Sequence, residues 1–253
     1  MTTIYLSQTS WTSTGVTDFT YVGTELELFA AARNWKSYWS RKIRPFITGD
    51  VIEVGAGIGS NTPFLDTGGH ERWVCLEPDS LLITQLTENL KQIGGRGRYE
   101  TVCGTLQTLD ANQRFHTIIY IDVLEHIEND REELKVASGY LRPGGRIVVL
   151  APAHQWLFTP FDAAIGHFRR YNRPVLRGIS PTGLRLEQLI YLDSAGLTAS
   201  AANLLLLRQS MPTKVQLQFW DHWIVPVSRV LDTLLLHSVG KSIVAVWRRP
   251  QTE

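Results

Sequence analysis

Short apolar runs alternate along the chain with longer stretches whose apolar positions recur at helical spacing. Val51–Val54, Trp73–Leu76, Arg98–Val102, Thr117–Ile121, Arg146–Leu150 and Leu186–Leu192 read as strands, and Ser242–Trp247 as a last one. Helical stretches separate most of them, notably Ser80–Gln92 and Asp130–Leu141. Strands alternating with helices predict a parallel sheet covered on both faces. Pro143-Gly144-Gly145 is a breaker cluster that turns helix 130–141 into the next strand. The expected fold class is α/β, a sheet of these strands with helical caps at both ends.

The ends depart from this rhythm. Residues 1–23 read as a loose arm. From Thr24 to Phe46 apolar residues fall at helical spacing (Leu28, Ala31, Ala32, Trp35, Trp39, Ile43), with Thr24 as cap and Pro45 as stop. Residues 193–241 are too long and too apolar for a connection. There Phe219, Trp220, Trp223, Ile224, Val227, Val230, Leu231 and Leu234 recur at helical spacing, with Pro226 as a kink. One domain is expected over 1–253: arm and cap in 1–47, an α/β core in 48–192, and a helical insertion with the last strand in 193–253.

Composition narrows this picture little. Hydrophobic residues make up 43% of 253, enough for a core. A formal net charge of +1 supplies no global field toward nucleic acid or anionic lipid, so nucleic acid is a disfavoured partner. Cys75 and Cys103 both fall in apolar runs and read as buried core thiols. Met1–Thr20 lacks the pattern of a secretory signal, and no run approaches the ~18 apolar residues of a membrane span. A soluble, cytoplasmic chain without a transmembrane segment is expected. Gly240-Lys241-Ser242 has Leu235 where a phosphate loop needs glycine.

The chemistry begins at Val51-Ile52-Glu53-Val54-Gly55-Ala56-Gly57-Ile58-Gly59-Ser60-Asn61, a strand running into a glycine-rich turn and a helix. Such a turn lines the ligand crevice of an open α/β sheet. A dinucleotide fingerprint wants glycine where Ser60 stands, and an acid two residues before the first glycine would repel a pyrophosphate. The spacing resembles instead motif I of the class I S-adenosylmethionine-dependent methyltransferases, which implies their Rossmann-like, seven-stranded, mostly parallel sheet. The resemblance implies that Glu53, Gly55, Ala56, Gly57, Gly59 and Asn61 hold the methionine part of that cofactor. Glu77 and Pro78 close the second strand, 24 residues beyond Glu53, where an acid accepts the ribose hydroxyls of an adenosine. Gly104-Thr105-Leu106 falls where the family holds adenine. Phe115–Ile127 resembles its fourth strand followed by a V-L-E-H turn, with Asp122 and Val123 beside the cofactor. Leu141–Leu150 resembles its L-x-P-G-G entry to strand five.

Methyl transfer to an OH or NH needs a base. His126, His154 and His167 are the candidates, because imidazole titrates near neutrality. Asp122, Glu125, His126 and the later His167 also resemble the metal-binding turn of the small-RNA 3′-terminal 2′-O-methyltransferases, which implies a divalent-ion site. The segment 161–171 resembles a G-H-x-R-R-Y stretch of a bacterial methyltransferase subgroup, and Arg169, Arg170 and Tyr171 are candidate substrate contacts.

Methyl transfer to oxygen or nitrogen of a small-molecule acceptor is therefore expected. A nicotinamide-dependent oxidoreductase is the alternative, against which Ser60 stands, as does Gly144 where a lysine would follow Tyr140. A cofactor-binding subunit without its own catalysis is a third reading.

Overall fold

A computed structural model describes residues 25–94, 98–202, 204 and 213–251; the predicted arm and the Thr24 cap lie outside them. Seven strands form one sheet: β1 Val51–Val54, β2 Trp73–Glu77, β3 Tyr99–Cys103, β4 Phe115–Ile121, β5 Leu141–Pro152, β6 Arg185–Leu192 and β7 Ser242–Arg248. Their order is β3-β2-β1-β4-β5-β7-β6. Strands β1 to β5 pair in parallel, and β7 runs antiparallel between β5 and β6. Neighbouring residues feed opposite apolar layers. Ile52, Val74, Leu76, Val149 and Ala245 pack on one face, while Val51, Trp73, Cys75, Val148 and Val246 pack on the other. Burial on both faces is why these strands read as unbroken apolar runs. The chain turns from one half of the sheet to the other between β1 and β4, and that switch point opens the crevice.

Four local expectations are corrected. The single helix over 24–46 is two helices, α1 Glu25–Ala30 and α2 Arg33–Ile43, followed by a 3-10 turn at Arg44–Phe46. The break has a distant cause: the Asp221 carboxylate accepts the Asn34 and Trp35 amides at 3.1 and 2.8 Å and caps α2 in place of a local side chain. Pro143-Gly144-Gly145 is not a turn before β5 but part of it, with a register shift against Phe115 and Thr117. A Cβ on Gly145 would meet the carbonyl oxygens of Arg142 and His116 at 2.9 and 3.0 Å. Cys103 is exposed, because β3 is an edge strand. Pro226 makes no kink inside a helix. It opens α10 Val225–Leu234 after a π turn at Trp220–Ile224.

The remaining helices are α3 Thr62–Leu65, α4 Ser80–Gly94, α5 Asp130–Gly139, α6 Pro160–Ala164, α7 Arg173–Gly178, α8 Ser194–Ala202 and α9 Lys214–Phe219. Between β6 and β7, α8, α9 and α10 are fastened by two buried aspartates. Asp232 accepts the Tyr38 hydroxyl and the Asp193 and Ser194 amides; Asp193 accepts the Trp220 indole and the Ser228 hydroxyl. Among the described residues no helix is long and apolar enough to cross a membrane.

Candidate cofactor and catalytic site

At the carboxyl ends of β1, β2 and β4 lies a cavity of about 710 Å³, within the range of small-molecule and cofactor sites. The glycine loop forms its floor. Gly55 has φ +66°, and a Cβ there would lie 2.7 Å from Val123, so conformation and space both demand glycine. Gly57 has φ +55° and faces the cavity. Its amide donates to Glu77 Oε2 at 2.8 Å, and the Asp79 amide to Glu77 Oε1 at 3.0 Å. The Glu77 carboxylate thus ties loop to strand while it still lines the cavity. Burial pushes its pKa up against those two amides.

Glu53 does not line the cavity. It is buried, and it accepts the Thr62 hydroxyl at 2.8 Å. Burial raises its pKa to about 7, opposed by the Thr62 bond and the Lys36 charge. Lys36, which sequence reasoning missed, reaches from α2 and donates to the Ser60 carbonyl at 3.1 Å and to Ser60 Oγ at 2.6 Å. Burial lowers its ammonium to about 8, with Asp122 and Glu53 pulling the other way. From the ordinary carboxylate value of 4.5 up to about 7, the folded chain holds a proton on Glu53 that the unfolded chain has lost. Stability therefore falls as pH rises through that window. Glu53→Gln removes this dependence, so the variant gains on the wild type across the window, by on the order of 3 kcal/mol at its upper end. Urea titrations at a series of pH values check this, and parallel curves for the two proteins would refute it.

Asp122, at the end of β4, takes φ +53°, a conformation that aspartate tolerates. Its carboxylate opens onto the cavity but is ringed by protein. Burial raises its pKa to about 6, against the positive groups around it, Lys36, Lys241 and Arg170 among them. Beyond it, in the Leu124–His126 3-10 turn, Glu125 is fully buried and neither carboxylate oxygen has a hydrogen-bond partner. Burial drives this carboxyl well above its usual range, with the Asp122 charge adding to the shift. His126 packs edge-on against His167 with ring centroids 4.5 Å apart. Burial lowers its pKa to about 3, and His167 adds to the effect. His126 is thus neutral at physiological pH.

Segment 162–171 is a strap over this turn. Asp162 accepts His167 Nδ1 at 3.1 Å, Arg170 Nε and Nη2 at 2.8 and 3.0 Å, and the Thr159 amide and hydroxyl at 2.8 Å each. Burial alone would raise Asp162, but these donors hold it well below the usual carboxylate range. An ionised Asp162 fixes the proton on His167 Nδ1 and leaves Nε2 as the acceptor, 3.9 Å from Glu125 Oε1. Phe168 donates its amide to the Glu125 carbonyl at 2.8 Å. Arg169 turns away from the cavity, pairing with Asp130 at 2.7 Å and donating to the Glu128 carbonyl at 2.6 Å. Tyr171 is buried, its hydroxyl donating to the Leu124 carbonyl and Asp130.

The structure thus gathers Gly55, Ala56, Gly57, Asn61, Glu77, Pro78, Gly104, Thr105, Asp122, Val123, His126, His167 and Arg170 around one cavity. It sets others aside. Gly59 faces α4, where a Cβ would meet Leu86 at 2.7 Å, and Leu106 is buried in the core. His154 takes φ +66°, stacks on Tyr191 and reaches the Gly240 carbonyl at 3.0 Å. Arg169 and Tyr171 hold the strap, so neither is a contact to anything in the cavity. A Tyr-x-x-x-Lys spacing does occur at Tyr38 and Lys42. However, the Tyr38 hydroxyl is spent on Asp232, Lys42 lies on His237 at 3.2 Å, and neither lines the cavity.

Residues 52–147 match the family model of a methyltransferase domain. No curated protein sequence matches the chain. Among solved structures it is similar to the N-methyltransferase NodS of Bradyrhizobium japonicum, bound to S-adenosylhomocysteine, with TM-score 0.55 and 12% identity over 87% of this chain and 89% of that one. It is similar to a Haemonchus contortus phosphoethanolamine N-methyltransferase at TM-score 0.59 and 14% identity, over 90% of this chain and 58% of that one. It is also similar to the [4+2]-cyclase SpnF at TM-score 0.58 and 13% identity, over 87% and 81%. About two fifths of the chain thus matches a methyltransferase domain, and the described residues carry the fold of the solved methyltransferases. Both N-methyltransferases hold S-adenosylhomocysteine, the demethylated form of S-adenosylmethionine. The cavity fits that molecule: glycines allow close approach, Glu77 can take a ribose diol, and Asp122 can face an ammonium group.

Proposed function

We propose that this enzyme methylates an oxygen or nitrogen of a small-molecule acceptor with an apolar or anionic portion, and that His167 is the general base. The observation that carries this is the Asp162–His167 pair at the cavity wall, in which Asp162 holds Nδ1 and leaves Nε2 for an acceptor. Bound S-adenosylmethionine supplies a methyl group on a positively charged sulfur. His167 Nε2 takes the acceptor proton as the acceptor attacks, and ionised Asp162 stabilises the imidazolium. His126 stays neutral beside it and adds no repelling charge. Phe29, Trp35, Trp39 and Trp220 give the cavity apolar walls, which suits an apolar acceptor portion; Arg170 and Lys241 add positive charge for an anionic one.

A second reading is favoured by Glu125, a buried carboxylate with both oxygens unpartnered. Ligand atoms of Glu125, His126 and His167 lie within 4.8 Å of one another. A carboxylate with two imidazoles suits a divalent ion of the zinc, manganese or iron type, and Asp162 on His167 Nδ1 is the outer partner such ligands keep. The ion would lower the pKa of an acceptor hydroxyl.

The test is an acceptor panel read by S-adenosylhomocysteine release, run before and after exhaustive chelation. Release that survives chelation supports the His167 base. Loss on chelation that zinc or manganese restores supports the ion. Equilibrium dialysis showing NADPH but not S-adenosylhomocysteine bound would refute both.

A further inference from the structure

The helices between β6 and β7 are apolar on two sides. Leu217, Trp220, Val225, Ser228 and Asp232 face the fold and are buried. On the opposite side Val215, Phe219, Trp223, Val227, Val230 and Leu234 form a row at i+4 and i+3 spacing, with exposures of 74, 57, 63, 50, 62 and 72%. The row runs about 30 Å along one helical face, too long to be scattered surface residues. Leu236, just beyond, is 84% exposed.

The charge pattern says what covers it. The acids of 214–236, Asp221 and Asp232, are both turned inward, where they bind the Asn34, Trp35, Asp193 and Ser194 amides. The basic residues of this stretch, Lys214 and Arg229, remain accessible. The segment that carries the row thus has two accessible cations and no accessible acid. Two copies joined through this face would bring like charges together with nothing to pair them. An anionic lipid surface would take both the cations and the apolar row.

We propose that α9, the π turn and α10 form an interfacial docking surface for an anionic membrane, lying in the headgroup layer with Phe219, Trp223 and Val227 inserted. The inner face of the same segment reaches the cavity through Trp220. This surface stands apart from the acceptor reading, because no residue of the outer row lines the cavity.

Co-flotation of the full chain tests it, with vesicles of equal parts phosphatidylglycerol and phosphatidylcholine against vesicles of phosphatidylcholine alone. The chain is expected to float with the anionic vesicles, and less so as salt rises. Phe219→Ser and Trp223→Ser should each weaken partition by about tenfold. Both positions are exposed, so S-adenosylhomocysteine affinity should not change, and that measurement confirms that the variants fold. Absence of flotation overturns the proposal. A dimer by light scattering that Trp223→Ser dissociates would assign the row to a second copy instead. Flotation unaltered in both variants also overturns it.

Discussion

Replacing His167 by asparagine is expected to lower kcat by ~10²- to 10⁴-fold while S-adenosylhomocysteine binds as before. Asparagine keeps a donor for Asp162 but has no basic nitrogen to present to the cavity. The residues proposed to hold the cofactor are elsewhere: Gly57 and Glu77 are tied to each other and to Asp79. Asp162→Asn should also reduce kcat, because a neutral amide no longer fixes the proton on Nδ1. It leaves Arg170, now held by both Asp162 oxygens, without its anion. A base acting alone and a base held by Asp162 are separated by the pH–rate profile. The profile changes in Asp162→Asn only where the carboxylate acts on the base. Wild-type turnover in His167→Asn would remove the histidine from the chemistry. His126→Asn, by contrast, should leave the pH profile in place, because a ring whose pKa lies at about 3 does not titrate in the working range.

The alternation that predicts the sheet is legible because each strand is buried on both faces, so its apolar signal does not depend on register. The glycine loop is legible for a related reason: Gly55 and Gly57 occupy backbone conformations that other residues resist, and that demand is written locally. The G-H-x-R-R-Y segment shows where locality ends. Its composition suggests a clamp for a charged substrate, yet Arg169 is spent on Asp130 and Tyr171 on Leu124 and Asp130. Arg170 alone of the three lines the cavity, already paired with Asp162. Partners 8 to 47 residues away decide these roles, and no spacing rule reaches that far. Glu53 shows the same limit. Its place in the motif is clear, but its carboxylate is buried on Thr62, close to Lys36, and is not part of the cavity wall. The break between α1 and α2 likewise depends on Asp221, more than 180 residues on.

The largest stability effect is expected at another such distant partner. Asp232 stands in a row of apolar positions on α10 and looks out of place there. It is fully buried and accepts three hydrogen bonds: the Tyr38 hydroxyl at 2.7 Å, the Asp193 amide at 2.6 Å and the Ser194 amide at 2.9 Å. One carboxylate therefore joins α2, the end of β6 and the start of α8, and fixes both caps to the sheet. Asp232→Ala leaves three buried donors without an acceptor. Each costs about 1–3 kcal/mol, not additively, so a loss of about 3–5 kcal/mol is expected. That is a large share of the stability of a typical chain. Tyr38→Phe removes one donor with its bond and should cost only about 1 kcal/mol. The contrast makes the experiment specific. Urea midpoints give the two magnitudes, and hydrogen exchange in Asp232→Ala should show protection lost first in α2 and α8. A uniform loss across the sheet would mean that Asp232 supports the whole core rather than the attachment of the caps. An unchanged midpoint would mean that water replaces the carboxylate at no cost, and the role assigned to Asp232 would fall.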